Sequence, residues 1–472
     1  MVNHIKPLVN KYIIMPEKNS KKRKWRETSS WYNKNTTSIH AIQTLIGHFL
    51  SDRHSNSLLS NADKLDQFQN LSGTWGTEPF EKVVKDESDL NYVLENPDIS
   101  KNAICIIEPA DHVGINPSTE GVRASSNIAY INRIVADCDS ILFPIWESGI
   151  SNIDHLKKVL QNSLAIIVEG GHPSAKDKTT FEYSKINLEE LQLLMEEIIL
   201  ARGHKSSPAI FICLGHQIAA QAHINLIKKA VSIISKKLST VLTKGSYQYE
   251  ALVSLCNRIK DVGGSLKVVK NNTTIAEGWG DPQFAVALNE VTEVGKCELE
   301  KYSHDGNHPS NEFKELLIKH NQTASEYDGI VEQSITYEKN LDVLMFHSDE
   351  VNEEAILFAN WAYSNLQDTL ASSRDLIAVS SLSWLLNLPS SVEILCSTSE
   401  AGNKLTDVAA TCISYKDYET KSVRRSFSFQ FHPELLADLR EFNISRSHDY
   451  TLFKNDDGIR MLMRVLYECI LD

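Results

Sequence analysis

IFICLGHQ, residues 210–217, sets four apolar residues in a row (Ile210, Phe211, Ile212, Cys213), then stops at Leu-Gly-His-Gln and gives way to an alanine-rich run. A short β-rich segment that is bounded by glycine and followed by helix formers predicts a buried strand turning sharply into a helix. The residue at the turn is Cys213. A side chain there is lifted clear of the sheet, and the positive end of the following helix favours thiolate over thiol. Gly215 removes side-chain bulk where the turn is tightest. Together these features predict a nucleophile at Cys213 in preference to a packing cysteine.

Working outward, AICIIE (103–108), SILFPIW (140–146) and LAIIVEGG (164–171) predict three further strands, with SNIAYINRIVAD and NIDHLKKVLQN as helices between them. Near-continuous apolar strands alternating with helices predict an α/β fold with a mostly parallel sheet and helices on both faces, flavodoxin-like or Rossmann-like. Asn187 with Glu190 three residues later forms a capping box. Leu188, Leu191, Met195 and Ile198 mark the buried face of the helix it opens, and Gly203 follows its end. SPAIFIC, ending at Cys213, is then the fourth strand.

Beyond the turn, Ile224, Ile227, Val231, Ile234 and Leu238 recur at helical spacing, with Lys228, Lys229, Lys236 and Lys237 facing outward. A helical insertion at about 224–265 is expected, then mixed strand and loop over 266–345. VEILCSTS, TDVAATCISY and SFSFQFHPEL read as late strands. Residues 1–98 read as an N-terminal extension that is partly helical, since TSIHAIQTLIGHFLSDR places Ile39, Ile42, Leu45, Ile46, Phe49 and Leu50 at helical spacing. Residues 99–472 form the main domain that carries the insertion.

Composition narrows the function. A formal net charge of −13 argues against nucleic acid as the main partner, because a phosphate backbone is held by excess Lys and Arg. The one basic run, KNSKKRKWR (18–26), reads as a solvated arm. No apolar run spans a bilayer and the polar start lacks the core of a secretory signal, so a cytoplasmic protein without membrane contact is expected. The eight cysteines form neither C-x-x-C pairs nor zinc spacing, which predicts buried small hydrophobes in a reducing compartment and no metal or other cofactor.

A thiolate nucleophile needs a base, and the base an orienting group. In FHPEL, Pro433 restricts His432 to extended backbone, so His432 and Glu434 project to the same side of the chain. The carboxylate can then hold one imidazole nitrogen while the other faces a site. Whether that ring approaches Cys213 stays open on spacing alone. In VEGGHPS, two glycines directly after an apolar strand let backbone N–H groups point into an open site, so the N–H groups of Gly171 and Leu214 are candidates for an oxyanion hole. His112, His172 and His216 read as solvated or structural histidines.

In this order, the Gly-Gly turn, C-L-G-H-Q elbow and Q-F-H-P-E segment resemble the class I glutamine amidotransferase family with a Cys-His-Glu triad, over about residues 101–440. VLMFHSDEV (343–351) looks like the family's substrate-contacting loop, and the Leu388-Pro389 step before VEILCSTS also matches. The resemblance implies that Cys213 attacks the side-chain amide of glutamine to form a thioester, that His432 protonates the departing ammonia and activates water, and that Glu434 holds the imidazole. It implies oxyanion N–H groups from Gly171 and Leu214, and a pocket formed by Gln217, Phe346, His347, Ser348 and Asp349. Three positions depart from the family's pattern. Phe211 and Ser428 stand where it has glycines, and Glu169 replaces a small residue.

The chain contains neither a G-x-x-x-x-G-K-[ST] loop nor an S-G-G-x-D-S motif. Ammonia would therefore pass to a separate synthetase subunit or be released. The alternatives are a γ-glutamyl hydrolase or transferase acting on a larger substrate, and a non-catalytic regulatory or binding protein on the same fold.

Overall fold

A computed structural model of the chain describes residues 80–110, 138–149, 153–171, 173–175, 184–202, 208–264, 266–270, 273–276, 288–302, 341–400, 408–417 and 422–434, with a few single positions and the pair 403–404 beside them. The basic run at 18–26, the helix expected within 37–53, His112, His172 and Gly203 lie outside the described residues.

The first half of the fold is a parallel sheet. Its strands are β1 (Lys82–Val83), β2 (Ala103–Glu108), β3 (Asp139–Pro144), β4 (Ala165–Val168) and β5 (Ala209–Ile212), in the order β1-β3-β2-β4-β5. Every residue of β2 through β5 is buried, as expected of apolar strands covered on both faces. β3 stops at Pro144, and Ile145–Ser148, expected in part as strand, begins a short helix there. β1 was not anticipated. It pairs with β3, so residues before 98 contribute to the sheet edge.

Helices α1 (Glu87–Glu95) and α2 (Pro97–Lys101) precede β2; α3 (Ile145–Ser148) and α4 (Ile153–Asn162) lie between β3 and β4, and α5 (Leu188–Arg202) precedes β5. The capping box at α5 forms as expected: the Asn187 N–H donates to Glu190 Oε2 at 3.0 Å, and the Glu190 N–H donates to Asn187 Oδ1 at 2.9 Å.

After β5 the chain enters α6 (Leu214–Lys237) and α7 (Tyr247–Gly264), which occupy the stretch read as helical, and then the hairpin β6 (Lys267–Lys270) and β7 (Thr273–Ala276). Two long strands follow, β8 (Leu288–Lys301) and β9 (Leu341–Val351), then α8 (Glu353–Ala371) and α9 (Arg374–Ala378). The chain closes the sheet with β10 (Ser391–Glu400), β11 (Asn403–Lys404), β12 (Ala410–Lys416) and β13 (Val423–Phe429). β13 lies parallel to β5 and antiparallel to β12, so the parallel half continues without a break into an antiparallel half ordered β13-β12-β10-β8-β9.

Two apolar clusters sandwich the sheet. The upper cluster joins Cys105, Ile107, Val168 and Phe211 to the faces of α5, α6 and α8. The lower cluster joins Ile104, Ile106, Ile167 and Ile212 to Phe427, Phe429, Phe431 and Met461. The alternation of odd and even positions between clusters is the period of two that a strand imposes. Among the described residues, no helix is long and apolar enough to cross a membrane.

Candidate active site

β5 delivers Cys213 into a backbone conformation with φ 48° and ψ −106°, and among the described residues it is the one non-glycine residue with positive φ. A β-carbon is crowded in that region, and such strain persists where the surroundings over-determine it. Here they do. The Cys213 N–H donates to the Phe429 carbonyl of β13 at 2.7 Å, and its carbonyl accepts the Gln217 N–H at 3.0 Å to start α6. The Gly215 N–H binds the Glu169 carbonyl at 3.2 Å, and a methyl group on Gly215 would stand 2.7 Å from the Val168 carbonyl oxygen. The helix can approach β4 this closely because position 215 has no side chain.

β13 carries the partner groups. The Phe429 and Phe431 rings pack 5.1 Å apart in the lower cluster and fix the strand's exit, after which His432 and Glu434 turn toward the elbow. His432 Nδ1–H donates to Glu434 Oε1 at 2.8 Å, with the carboxylate 1% exposed. The imidazole also hydrogen-bonds the Cys213 side chain. Burial works to lower the His432 pKa, but the charges of Cys213 and Glu434 and the bonds to both outweigh it and hold the ring well above its ordinary value. The three groups thus form a chain of sulfur, imidazole and carboxylate, with Cys213 only 4% exposed.

The glycine turn closes over this chain. A methyl group on Gly170 would lie 2.8 Å from His432 Cε1 and 3.0 Å from Cys213 Cβ, and one on Gly171 would lie 3.0 Å from Leu214 Cδ2. Gly170 therefore borders Cys213 and His432 together, and Gly171 abuts the first residue of α6. Gly170 carried no role in the sequence reading, which placed the function on its neighbour.

Of the remaining expected residues, Gln217 and Asp349 meet beside the elbow. The segment 341–351 is a strand, not a loop, and pairs with β8. His347 and Asp349 are buried, while the side chains of Phe346 and Ser348 lie outside the described residues. Gln217 Nε2 donates to the Asp349 carbonyl at 2.6 Å, so its amide donor is engaged within the chain. Ser174, which nothing in the sequence singled out, donates from Oγ to Asp349 Oδ2 at 2.5 Å.

The three departures from the family's pattern are absorbed by packing. Phe211 is fully buried in the upper cluster, whereas Cys213 belongs to the lower one, so the ring does not crowd the sulfur. The Ser428 hydroxyl lies 2.7 Å from His216 Nδ1 and 2.5 Å from Thr411 Oγ1, in a buried network that a glycine would leave open. Burial lowers His216 to about 3, so it stays neutral and structural, as expected. Glu169 is wholly buried, and its backbone N–H extends the sheet by binding the Ile107 carbonyl at 3.0 Å.

Cys105, Cys138, Cys213, Cys256, Cys396 and Cys412 are all buried, and none of them is in a disulfide. Burial pushes Cys256 and Cys412 up to about 12, which makes them inert thiols. Among the described residues, no cluster of three or more His, Cys, Asp and Glu is placed to hold a metal. A cleft of about 450 Å³ opens near the β1 edge, lined by Val84, Leu90, Phe143 and Leu156, and its lining includes none of Cys213, His432 and Glu434.

No protein-family model matches the chain, and no curated protein matches it. Among solved structures, it is similar to a protein from Thermoplasma acidophilum assigned as one component of a GMP synthase, at 13% identity, covering 78% of this chain and 98% of that one with a TM-score of 0.28. It is also similar to the glutaminase domain of Trypanosoma brucei CTPS with bound acivicin, at 10% identity, covering 78% of this chain and 94% of that one with a TM-score of 0.36.

Proposed function

We propose that this chain hydrolyses the side-chain amide of glutamine through a cysteine thioester and releases ammonia, or passes it to an acceptor in a separate synthetase subunit. The observation that carries the reading is the hydrogen-bonded chain from Cys213 through His432 to Glu434, with the sulfur on a strained strand-to-helix elbow. In this scheme Cys213 Sγ, as thiolate, attacks the amide carbon, and the electron pair moves to the carbonyl oxygen. The N–H groups of Gly171 and Leu214 stabilise that oxyanion. As the tetrahedral intermediate collapses, the carbon–nitrogen bond breaks and the His432 imidazolium gives its proton to the leaving nitrogen. Ammonia departs and a thioester remains.

The neutral imidazole then takes a proton from water, whose oxygen attacks the thioester. Glutamate leaves and the thiolate–imidazolium pair is restored. Glu434 keeps Nδ1–H as donor throughout, which aims the other ring nitrogen at the sulfur. Gln217, His347 and Asp349, with Phe346 and Ser348 on the same strand, are proposed to receive the amino-acid end of the substrate; one amide N–H of Gln217 is held by the Asp349 carbonyl, which leaves its amide oxygen for that role. The setting is proposed to be cytoplasmic, in keeping with six buried cysteines that are not in disulfides.

Phe211, the residue that most favoured a silent protein on sequence grounds, packs on the face away from the sulfur. The test is to incubate the chain with glutamine and with γ-glutamyl amines, and to measure glutamate and ammonia for wild type and Cys213→Ala. Glutamine turnover that vanishes in the variant supports the proposal. Turnover of the larger compounds alone shifts it to a γ-glutamyl hydrolase, and silence toward both refutes hydrolysis by the isolated chain.

A further inference from the structure

The two proposed oxyanion donors sit on different segments, Gly171 on the loop after β4 and Leu214 on the first turn of α6, and no covalent geometry fixes their separation. Three residues beyond each donor, a side chain reaches the same residue of β9. From the loop, Ser174 Oγ donates to Asp349 Oδ2 at 2.5 Å. From the helix, Gln217 Nε2 donates to the Asp349 main-chain carbonyl at 2.6 Å. Asp349 is 3% exposed, and β9 is itself held by its pairing with β8, where Asp349 stands opposite Glu290. One residue on an independent, sheet-anchored strand therefore grips both segments.

We infer that Asp349 is a positioning residue: through Ser174 and Gln217 it clamps the glycine loop against the first turn of α6 and so sets the spacing of the two N–H groups that receive the oxyanion. This rests on the amide-hydrolysis reading above and assigns Asp349 a part in it other than contact with substrate. A hydrogen bond to a carboxylate is short and directional, so it fixes the loop more tightly than apolar contact would. A donor displaced by a fraction of an ångström stabilises developing charge poorly while leaving the thiolate untouched. Loss of the clamp should therefore slow acyl transfer without slowing simple alkylation of the sulfur.

Two reactions of Cys213 separate these effects. Acylation by p-nitrophenyl acetate passes through an oxyanion and requires no glutamine pocket; alkylation by iodoacetamide has no oxyanion. Cys213→Ala supplies the blank for both. Ser174→Ala and Asp349→Ala each keep the main-chain carbonyl that Gln217 uses, and each is expected to slow acylation about tenfold. The double variant should be no slower than the slower single, because both remove one bond. Alkylation should stay within twofold in all three, and Ser174→Thr, which keeps the hydroxyl, should recover most of the loss.

The clamp is overturned if wild type is not acylated at Cys213, if either single variant acylates at the wild-type rate, if the two effects multiply, or if alkylation falls in step with acylation. Should Asp349→Ala fail to fold, Ser174→Ala and Ser174→Thr decide alone. A wild type that follows the expected pattern with the ester yet releases no ammonia from glutamine sinks the glutamine reading and leaves the clamp standing.

Discussion

Gly170→Ala is the sharpest perturbation this site offers, because one added methyl group meets Cys213 and His432 at once. The new carbon would lie 2.8 Å from His432 Cε1, and ordinary contact begins at 3.4 Å, so the ring must retreat by about 0.6 Å. The same shift carries the 2.8 Å bond between His432 and Glu434, or the bond to Cys213, beyond the range of about 2.7–3.2 Å in which such a bond is strong. Losing one charge-assisted bond costs about 1.5–3 kcal/mol, equivalent to about ten- to hundredfold in rate. Gly170 is not among the described glycines with positive φ, so its backbone accepts alanine and the fold should survive. The assay is alkylation of Cys213 by iodoacetamide at neutral pH, with unfolding followed in parallel. Gly170→Ala should react at least about tenfold more slowly than wild type. Gly264→Ala, with nothing within 4 Å of the added carbon, serves as control. If Gly170→Ala alkylates within twofold of wild type, the proposed contact between loop and ring is wrong.

Phe211→Ala should lower stability by about 3–5 kcal/mol in denaturant titrations, the cost of emptying a core site, without raising the rate per folded molecule; a faster enzyme would show that the ring does crowd the sulfur. Ser428→Ala should cost about 1–3 kcal/mol because it strands the buried His216 and Thr411 groups, and an unchanged unfolding midpoint would refute that network. The His432 ring should titrate above its ordinary value by NMR and fall in Cys213→Ala, since the sulfur charge is one of the groups that raise it. Because its folded value lies above the unfolded one, the stability that His432 contributes is complete below about pH 6.5 and drains away as pH climbs through the elevated value. A ring that titrates at its ordinary value in wild type would contradict this.

Much of the core was legible because its signals are local. The apolar runs of β2, β4 and β5, the Asn187–Glu190 box and the cysteine before a glycine each declare themselves within a few residues. β1 is two residues long, too short for any period to show. β9 escaped for another reason. Its described buried positions include Val343 and Met345, then His347, Asp349 and Glu350, so the second half of the buried set is largely polar and does not look like a core face. The polar partners of the site were illegible in principle: Ser174 meets Asp349, and His216 meets Ser428, across long stretches of chain that only the fold brings together.

β13 lies between β5 and β12, so the strand translated last among those of the sheet is an interior one. On the ribosome, the thiol at position 213 emerges well ahead of its imidazole, and both neighbours of the missing strand wait with unpaired edges. When that strand slots in, it supplies the Phe429 carbonyl that accepts the Cys213 N–H and brings His432, directly after Phe431, to the elbow. The pairing that fills the gap in the sheet therefore also brings the imidazole to the sulfur. A chain stalled or cut before residue 423 would lack both His432 and Glu434, so the first contact between ring and sulfur would serve as a clock for the docking of that strand.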